Sequence, residues 1–236
     1  GAFALRPAPV QVTWMGYTGT TGLKAMDHIL ADRFVVRDGE EDLFSEQVTF
    51  LPGCYLNFDP PRLDIDTAPP PATKSGFITF GSFNNRVKIT DEAIAAWSQI
   101  LIDVPKSRLL LKTAQLDDDG VRQSLLDQFR SHDIDEDRLD LEGRSPREEL
   151  LRAYQRVDIA LDTRPFSGGV TTAEALWMGI PVITLRSNRW SGRLGETILN
   201  GSGMAELVAE SPQQYHDLAV TLAGDLPRLE TLHAEL

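Results

Sequence analysis

The segment from Leu161 to Leu185 constrains the fold of this chain more than any other part of the sequence. Its sequence, LDTRPFSGGVTTAEALWMGIPVITL, has the pattern of a buried strand, a turn rich in glycine and threonine, a helix and a second buried strand. Such a unit belongs to a parallel sheet whose loop faces a ligand. A helix that begins after residues 168–172 offers free backbone N–H groups and threonine hydroxyls, which suit a phosphate. Glu174 lies about one turn into the helix and can accept hydrogen bonds from ribose hydroxyls, so the segment predicts a site for a nucleotide or nucleotide-sugar.

Strands and helices are predicted to alternate from Lys74 to the end of the chain. The predicted strands are Phe77–Gly81, Arg108–Lys112, Leu139–Gly143, Val157–Leu161 and Pro181–Leu185; the predicted helices are Asp91–Val104, Val121–His132, Pro146–Gln155 and Thr172–Met178, with others from about Arg193, Met204 and Pro212. This alternation is typical of an α/β fold with a Rossmann-like, doubly wound parallel sheet. Ligands of such sheets bind at the carboxyl ends of the strands.

Residues 1–73 have a less regular pattern. We predict a strand at Val10–Met15, a helical stretch at Leu23–Leu30 and a strand at Ala31–Val36. After Leu51 the periodicity is lost and prolines become frequent, which is typical of a linker because proline lacks the N–H that helices and sheets use. We therefore expect the chain to divide into residues 1–73 and a domain of residues 74–236.

Two further loops after predicted strands carry groups that suit a nucleotide. In the loop after Phe80, Asn85 and Lys88 precede a helix; a lysine can offset the charge of a diphosphate, and an asparagine can hydrogen-bond it. The alternative for this loop is a solvated turn with Thr90 as the helix N-cap. In the loop after Gly143, Arg147 lies at a helix start where an anion would be favoured, but Ser145-Pro-Arg-Glu148 also fits a capping box, and we expect capping there.

Charge and composition exclude several classes of function. The formal net charge of −12 would repel a phosphate backbone and no sustained basic patch offsets it, so nucleic acid is not an expected partner. Cys54 is the only cysteine, which excludes an internal disulfide and a cysteine-cluster metal site. No apolar run is long enough to span a membrane and no signal peptide opens the sequence, so we expect a cytoplasmic protein without a membrane partner.

The other residues that could carry chemistry are expected to be structural or solvated. His28 lies among apolar neighbours and is expected to be a structural histidine, whereas His132, His216 and His233 are expected at the surface. Arg193 follows a polar loop and is expected to be an exposed charge. The sequence contains no P-loop, no zinc-protease helix motif and no nucleophile elbow.

Five motifs, in the same order, resemble the catalytic region of the O-GlcNAc transferase and SPINDLY family. They are WMGYTGTTG at 14–22, ILAD at 29–32, FGSFNNRVKIT at 80–90, DIALDT at 158–163 and TTAEALWMGIPV at 171–182. The similarity runs from about Pro7 to about Asp225. It implies the GT-B architecture, in which two Rossmann-like domains face each other and the nucleotide-sugar lies mostly against the C-terminal one. Residues 74–236 would be that C-terminal domain, and residues 1–73 would be the tail of the N-terminal one with a proline-rich linker.

The resemblance also implies a reaction and a set of site residues. The implied enzyme is a glycosyltransferase that moves a sugar, GlcNAc from UDP-GlcNAc, to Ser or Thr hydroxyls of proteins. Its donor substrate would be a UDP-sugar or GDP-sugar, with neither a metal nor a cofactor. Lys88 would be catalytic, because it would offset charge on the departing nucleoside diphosphate. The implied nucleotide-sugar contacts are Asn85 and Lys88 to the diphosphate, Arg147 near the nucleotide, Thr171 and Thr172 to phosphate, and Glu174 to the ribose.

Two positions depart from the family pattern. The family commonly has a histidine near the nucleotide where this sequence has Leu150, and an asparagine in the turn where it has Ser167. Family members also carry tandem helical repeats and most of an N-terminal Rossmann-like domain before the point that matches residue 1. We therefore expect a portion of a longer enzyme that does not transfer sugar efficiently by itself. The alternatives are another GT-B enzyme, a sugar-nucleotide epimerase, or a non-catalytic nucleotide-binding module.

Overall fold

The computed structural model describes residues 1–236 and contains two parallel sheets on either side of the proline-rich segment. The first sheet has three short strands in chain order: β1 (Val12–Thr13), β2 (His28–Ala31) and β3 (Gln47–Phe50). In its register His28 lies opposite both Val12 and Gln47.

The second sheet has six strands in the order β6-β5-β4-β7-β8-β9, and all of its pairings are parallel. The strands are β4 (Thr79–Ser82), β5 (Arg108–Lys112), β6 (Leu139–Glu142), β7 (Ile159–Leu161), β8 (Val182–Leu185) and β9 (Val208–Ala209). The helices are α1 (Ala72–Ser75), α2 (Asp91–Asp103), α3 (Asp119–Arg130), α4 (Arg147–Tyr154), α5 (Val170–Trp177), α6 (Leu194–Gly201), α7 (Pro212–Gly224) and α8 (Leu226–Glu235). The strand order confirms the predicted Rossmann-like, doubly wound sheet.

The strand order reverses between β4 and β7. From β4 the chain adds β5 and β6 on one side, and it then crosses back to place β7, β8 and β9 on the other. The loops that follow β4 and β7 therefore diverge at this point and leave a crevice at the carboxyl edge of the sheet. This is where a doubly wound sheet offers a ligand site, and both loops carry residues that the sequence predicted for a nucleotide.

Capping side chains explain where four of the eight helices begin. Thr90, Asp118, Ser211 and Asp225 each accept a hydrogen bond from a backbone N–H in the first turn of α2, α3, α7 and α8, respectively. Such caps satisfy donors that a helix leaves without an internal partner. The first turns of α4 and α5 receive no side-chain cap, a difference that matters for the site.

Two hydrophobic clusters hold the chain together. The larger one has 42 buried residues and joins the six-stranded sheet to its helices. The smaller one has seven buried residues and crosses between the two halves of the chain. In it, Trp190 and Leu194 pack with Tyr55 and with Ile29 from β2, and the Trp190 Nε1 donates to the Tyr55 hydroxyl at 2.9 Å. The first sheet is therefore attached directly to the second half of the chain.

The prediction for residues 23–36 is wrong. Residues 28–31 form β2 instead of a helix, because they pair with strands on both sides and bury Ile29 and Ala31. The predicted strand Ala31–Val36 ends after its first residue. There the Asp32 carboxylate accepts from the backbone N–H groups of Phe34 and Val35, which turns the chain. The strand β3 was not predicted.

Beyond residue 74 the predicted strands and helices agree with the structure to within about two residues, with three exceptions. The predicted helix from Met204 is a single 3₁₀ turn, Ala205–Leu207, and the strand β9 and the helix α8 were not predicted. His233 was expected at the surface but is buried, and its Nε2 lies 2.9 Å from the carbonyl oxygen of Asp158. None of the helices combines the length and the apolar character that crossing a membrane requires.

Candidate functional site

The candidate site lies at the carboxyl edge of the second sheet, between the loops that follow β4 and β7. The first loop runs from Phe83 to Thr90 and contains a 3₁₀ turn, Arg86–Lys88. The second runs from Asp162 to Gly169 and leads into α5. A small crevice between them is lined by the ends of both strands and by the first turn of α5.

The start of α5 is shaped to receive an acceptor group. No side chain accepts from its first-turn N–H groups. A Cβ atom at Gly168 would lie 2.5 Å from the Thr172 hydroxyl oxygen and 2.7 Å from that of Thr171, so only glycine fits beside these hydroxyls. The Thr171 hydroxyl donates to the Asn84 side chain at 3.1 Å, which ties the start of α5 to the loop after β4. Free N–H groups and hydroxyls together make an anion site of the kind that binds phosphate.

Asp162, the first residue after β7, holds the glycine turn in place. Its carboxylate accepts from the Gly168 N–H at 2.6 Å, from the Thr163 N–H at 2.8 Å and from the Thr184 hydroxyl at 2.7 Å. Burial raises the pKa of this carboxyl to about 6 despite these hydrogen bonds. Sequence reasoning did not select Asp162 as a site residue. Its position directly after a buried strand was the signal that could have identified it.

Lys88 is half-buried and faces the glycine turn. Its Nζ donates to the Ser167 carbonyl at 2.8 Å and lies 4.2 Å from the centre of the Phe166 ring. Burial lowers the pKa of the lysine, and the nearby Asp162 carboxylate opposes that shift. The predicted lysine is therefore brought to the loop that leads into α5.

The two asparagines after β4 occupy different environments. Asn85, the predicted diphosphate contact, is exposed, and its side chain accepts from the Val87 N–H at 3.1 Å, which caps the 3₁₀ turn. Asn84 is buried and contacts Thr171. The sequence pattern indicated its neighbour Asn85 instead. The structure thus places Asn84, more than Asn85, inside the crevice.

Glu174 and Arg147 form an ion pair on the far side of α5's first turn. The Arg147 Nη2 lies 2.6 Å from Oε1 of Glu174, whose side chain is only 4% exposed. The Tyr154 hydroxyl lies 3.5 Å from Oε2 of the same carboxylate and 3.2 Å from the Thr171 carbonyl. Burial, with the Glu174 charge as a smaller cause, raises the pKa of Tyr154 well above its usual range. Oε2 of Glu174 has only the long contact with the Tyr154 hydroxyl, so it can accept a further hydrogen bond.

The predicted capping box at Ser145–Glu148 is wrong. The helix α4 begins at Arg147, so its N-cap position is occupied by Pro146, which has no side-chain acceptor. The Ser145 hydroxyl lies outside the helix and is buried without a hydrogen-bond partner. The start of α4 is therefore as open as the start of α5.

Arg193 was expected to be exposed but is only 2% exposed. Its guanidinium forms two hydrogen bonds to the Glu40 carboxylate, at 2.5 and 2.8 Å, and donates to the carbonyls of Val35 and Ser187. Arg193 lowers the pKa of Glu40 to about 2. An arginine can be buried when carboxylate and carbonyl acceptors satisfy its donors in this way.

A broad groove borders the site. It has a volume of about 830 Å³ and lies between residues 52–58 and the helices α5 and α6. Its lining is mainly apolar and includes Met15, Leu56 and Trp177, and Gly169 and Val170 form one part of its wall. A group bound at the start of α5 would therefore border this groove.

Comparison with known proteins agrees with this geometry. Residues 1–62 and 72–236 match the sequence profile of the family described as Glycosyl transferase family 41. The chain is 37% identical over 240 residues to the probable UDP-N-acetylglucosamine–peptide N-acetylglucosaminyltransferase SPINDLY of Arabidopsis thaliana; the match covers 100% of this chain and 26% of that protein. The chain therefore spans about a quarter of the length of such curated relatives.

One solved structure supports the same family, and a second shares only the fold. A mutant of the Thermobaculum terrenum O-GlcNAc transferase superposes with a TM-score of 0.91 at 38% identity, covering 99% of this chain and 45% of that one. TarM superposes with a TM-score of 0.53 at 14% identity over 89% of this chain and 38% of its own, which shows a shared fold alone. Because the family profile matches nearly the whole sequence, and the expected GT-B-type fold is present, this chain belongs to glycosyl transferase family 41.

Proposed function

We propose that this chain is the donor-binding portion of a glycosyltransferase that moves GlcNAc from UDP-GlcNAc to Ser or Thr hydroxyls of proteins. The observation that carries the proposal is the convergence of the Lys88 ammonium, the uncapped start of α5 and the Thr171 and Thr172 hydroxyls on one glycine turn. These groups place one cation and several hydrogen-bond donors beside the crevice, in a chain whose net charge is −12. A diphosphate is the part of a nucleotide-sugar that such a crevice would recognise.

The reaction develops negative charge on the departing diphosphate, next to the donors at this crevice. A bond forms between the acceptor oxygen and the anomeric carbon of the sugar, while the bond from that carbon to the diphosphate oxygen breaks and leaves its electron pair on the diphosphate. The acceptor hydroxyl loses its proton, which passes to the departing diphosphate directly or through water. The first-turn N–H groups of α5 and the Thr172 hydroxyl would donate to the phosphate oxygens, and the Thr171 hydroxyl would do so on releasing the Asn84 side chain. The Lys88 ammonium has three N–H donors, so it would donate to the phosphate while one of them stays on the Ser167 carbonyl. Stabilising charge that develops on a leaving group lowers the barrier. Lysine and helix-start donors would supply this stabilisation without a metal or a cofactor.

The nucleoside would lie toward Glu174 and Arg147. Oε1 of Glu174 is paired with Arg147, whereas Oε2 has only the long contact with Tyr154. Oε2 could therefore accept from a ribose hydroxyl while the buried carboxylate keeps its cation. Arg147 is half exposed and would lie beside the nucleotide. Asn85 would reach the diphosphate only after leaving its contact with the Val87 N–H.

The choice of donor and acceptor rests on the relatives. Curated relatives are named UDP-N-acetylglucosamine–peptide N-acetylglucosaminyltransferases, and the matched solved protein is named an O-GlcNAc transferase. A GDP-sugar remains the competing donor, since nothing in the diphosphate crevice discriminates between bases. We place the protein in the cytoplasm, without nucleic-acid or membrane partners, and we expect the 236-residue chain to bind nucleotides but not to turn over efficiently.

Calorimetric titration of the chain with UDP and with GDP tests the donor site. We expect binding of at least one of them, and the absence of heat with both at millimolar concentration would remove the proposal. Lys88→Ala should weaken the bound nucleotide about 10- to 100-fold, as expected for the loss of a charge-assisted hydrogen bond. The matched control is Lys74→Ala, at an exposed lysine on α1.

The same titrations with uridine and guanosine separate the role of Lys88 from a general loss of the site. Because Lys88 is assigned to the diphosphate, the affinity for a nucleoside should change by less than about twofold. Equal losses for nucleoside and nucleotide would contradict the assignment. With the full-length protein, incubation with UDP-GlcNAc followed by product analysis distinguishes protein-linked sugar from an epimer or free sugar.

A further inference from the structure

The first sheet reaches the second half of the chain through an ion pair between a buried arginine and a partly exposed glutamate. Glu40 lies in the segment between β2 and β3, and Arg193 lies immediately before α6. Besides its two hydrogen bonds to Glu40, Arg193 donates to the Val35 carbonyl on the same side, and to the Ser187 carbonyl on its own loop. One side chain thus connects the residues after β2 to the loop after β8.

The loop that carries Arg193 is interlocked with the glycine turn of the candidate site. The Ser167 hydroxyl oxygen accepts from the backbone N–H groups of Leu194 and Gly195, at 3.0 and 3.2 Å, and so caps α6. The Ser167 N–H donates to the Ser191 carbonyl at 3.1 Å. A Cβ atom at Gly192 would lie 2.4 Å from the Pro165 carbonyl oxygen, so the two loops are in backbone contact. Neither loop can shift much without moving the other.

Ser167 also contacts Lys88. Its carbonyl accepts from the Lys88 Nζ at 2.8 Å while its hydroxyl caps α6. A continuous set of short contacts therefore runs from Glu40 through Arg193 and the start of α6 to Ser167 and then to Lys88. No comparable connection to the site starts from Glu41, the next residue, which contacts Arg33 and the Gly39 N–H.

We propose that Glu40 and Arg193 are positioning residues that hold the Ser167 turn, and through it the Lys88 ammonium, in register with the start of α5. The inference rests on the proposed function, because it assigns the register to diphosphate binding. With Glu40 neutralised, the buried Arg193 keeps only carbonyl and amide acceptors, and its guanidinium would shift toward water or another carboxylate. The backbone at Leu194 and Gly195 would move with it, and the Ser167 turn would follow.

The first test compares nucleotides with nucleosides in the 236-residue chain. Glu40→Gln should weaken whichever of UDP and GDP binds by about fivefold, the lower end of couplings between linked sites. The affinity for uridine or guanosine should stay within about twofold, because Glu174 and Arg147 are outside the set of contacts. Glu41→Gln is the matched control and should leave both affinities unchanged. Circular dichroism and thermal unfolding establish that each variant is folded.

A double-mutant cycle with Lys88→Ala distinguishes an effect of Glu40 that passes through Lys88 from a general effect on the structure. If Glu40 acts through Lys88, Glu40→Gln should cost less than about twofold in nucleotide affinity once Lys88 is absent. Additive effects of the two substitutions, or equal losses for nucleotide and nucleoside, would overturn the inference. In both of these cases the wild-type chain still binds nucleotide, so the proposed function stands.

Amide hydrogen exchange provides a measurement that needs no ligand. Glu40→Gln should speed exchange at Ser167, Leu194 and Gly195, and Glu41→Gln should not. Unchanged exchange at these amides would overturn the inference, whatever the nucleotide titrations show. Faster exchange in a chain that binds neither UDP nor GDP would keep the mechanical link but reject both its assigned role and the donor-site proposal.

Discussion

Asp162→Asn should remove part of the pH dependence of stability, because this buried carboxyl is more easily protonated in the folded chain than in the unfolded one. Its pKa is about 6 in the structure, against 3.8 for an unperturbed aspartate, and burial is the main cause. Between these values the folded chain holds a proton that the unfolded chain has released. Stability from this group therefore decreases as the pH rises from about 4 to about 6.

The expected size follows from the shift. A difference of about two pKa units corresponds to about 3 kcal/mol of unfolding free energy between the limits of full protonation and full ionisation, and the wild-type chain loses about 2 kcal/mol of it on going from about pH 4 to about pH 7. The asparagine substitution suits the site. An amide oxygen can accept from the Gly168 and Thr163 N–H groups as Oδ1 does now, and the amide nitrogen would face the Thr184 hydroxyl, which can accept.

Urea unfolding of both proteins at about pH 4 and at about pH 7 measures the effect. Relative to wild type, Asp162→Asn should gain about 2 kcal/mol of unfolding free energy over this interval. The pKa of Asp158 is also raised to about 6 by burial, but its contribution is common to both proteins and cancels in the comparison. Glu40, whose pKa is lowered to about 2, loses its stabilising effect mainly below pH 4.5 and also cancels. Asp64→Asn controls for the loss of one charge at an exposed position. Parallel pH profiles of Asp162→Asn and wild type would refute the reasoning.

Three further predictions concern the same loops. Gly168→Ala should abolish the preference for nucleotide over nucleoside and destabilise the chain by about 1–3 kcal/mol, because the added methyl group overlaps the Thr171 and Thr172 hydroxyls. Titration and urea unfolding measure the two effects, and nucleotide binding as tight as in the wild type would contradict the prediction. Arg147→Ala should lower the free energy of unfolding by about 2 kcal/mol, which is less than for a fully buried pair because Arg147 is half exposed. Adding Glu174→Gln to the same chain should restore part of that stability. Arg152→Ala, which breaks an exposed pair with Glu148, is its control and should cost less than about 1 kcal/mol. Ser167→Ala should cost about 1 kcal/mol through the lost cap on α6, and an unchanged urea midpoint would count against the capping role.

The parts of the fold that sequence could predict are those whose signals are local. The unit from β7 to β8 has two apolar strands, a glycine turn and a helix within one continuous segment, and its elements lie where the pattern indicated. Lys88 and Thr171 could be assigned to one site because parallel strands bring successive loops to the same edge. The short strands of the first sheet gave no such signal: β2 has four residues, and its end depends on the Asp32 side chain.

The environment of Arg193 could not be predicted, because it depends on contacts that are distant in the sequence. Its partner Glu40 lies 153 residues away, and nothing in the polar loop around Arg193 indicates burial. The interlock between Pro165 and Gly192 likewise exists only after both loops have been brought together by the sheet. The ion pair of Arg147 with Glu174 arises in the same way. A buried carboxylate needs a partner, but that requirement does not identify which cation supplies it.

The two departures from the family pattern have different consequences for the site. The Ser167 side chain faces α6 and caps it, while the backbone carbonyl of the same residue contacts Lys88. Replacement of the expected asparagine by serine therefore leaves the Lys88 contact in place, since that contact uses main-chain atoms. Leu150 lies one turn after Arg147 on α4 and packs against the main hydrophobic core, so this position holds an apolar group where the family resemblance leads us to expect a histidine. We expect this chain to differ from its relatives in its discrimination between bases more than in its affinity for a diphosphate, because the second departure changes the neighbour of Arg147 on α4, whereas the first leaves the Lys88 contact unchanged.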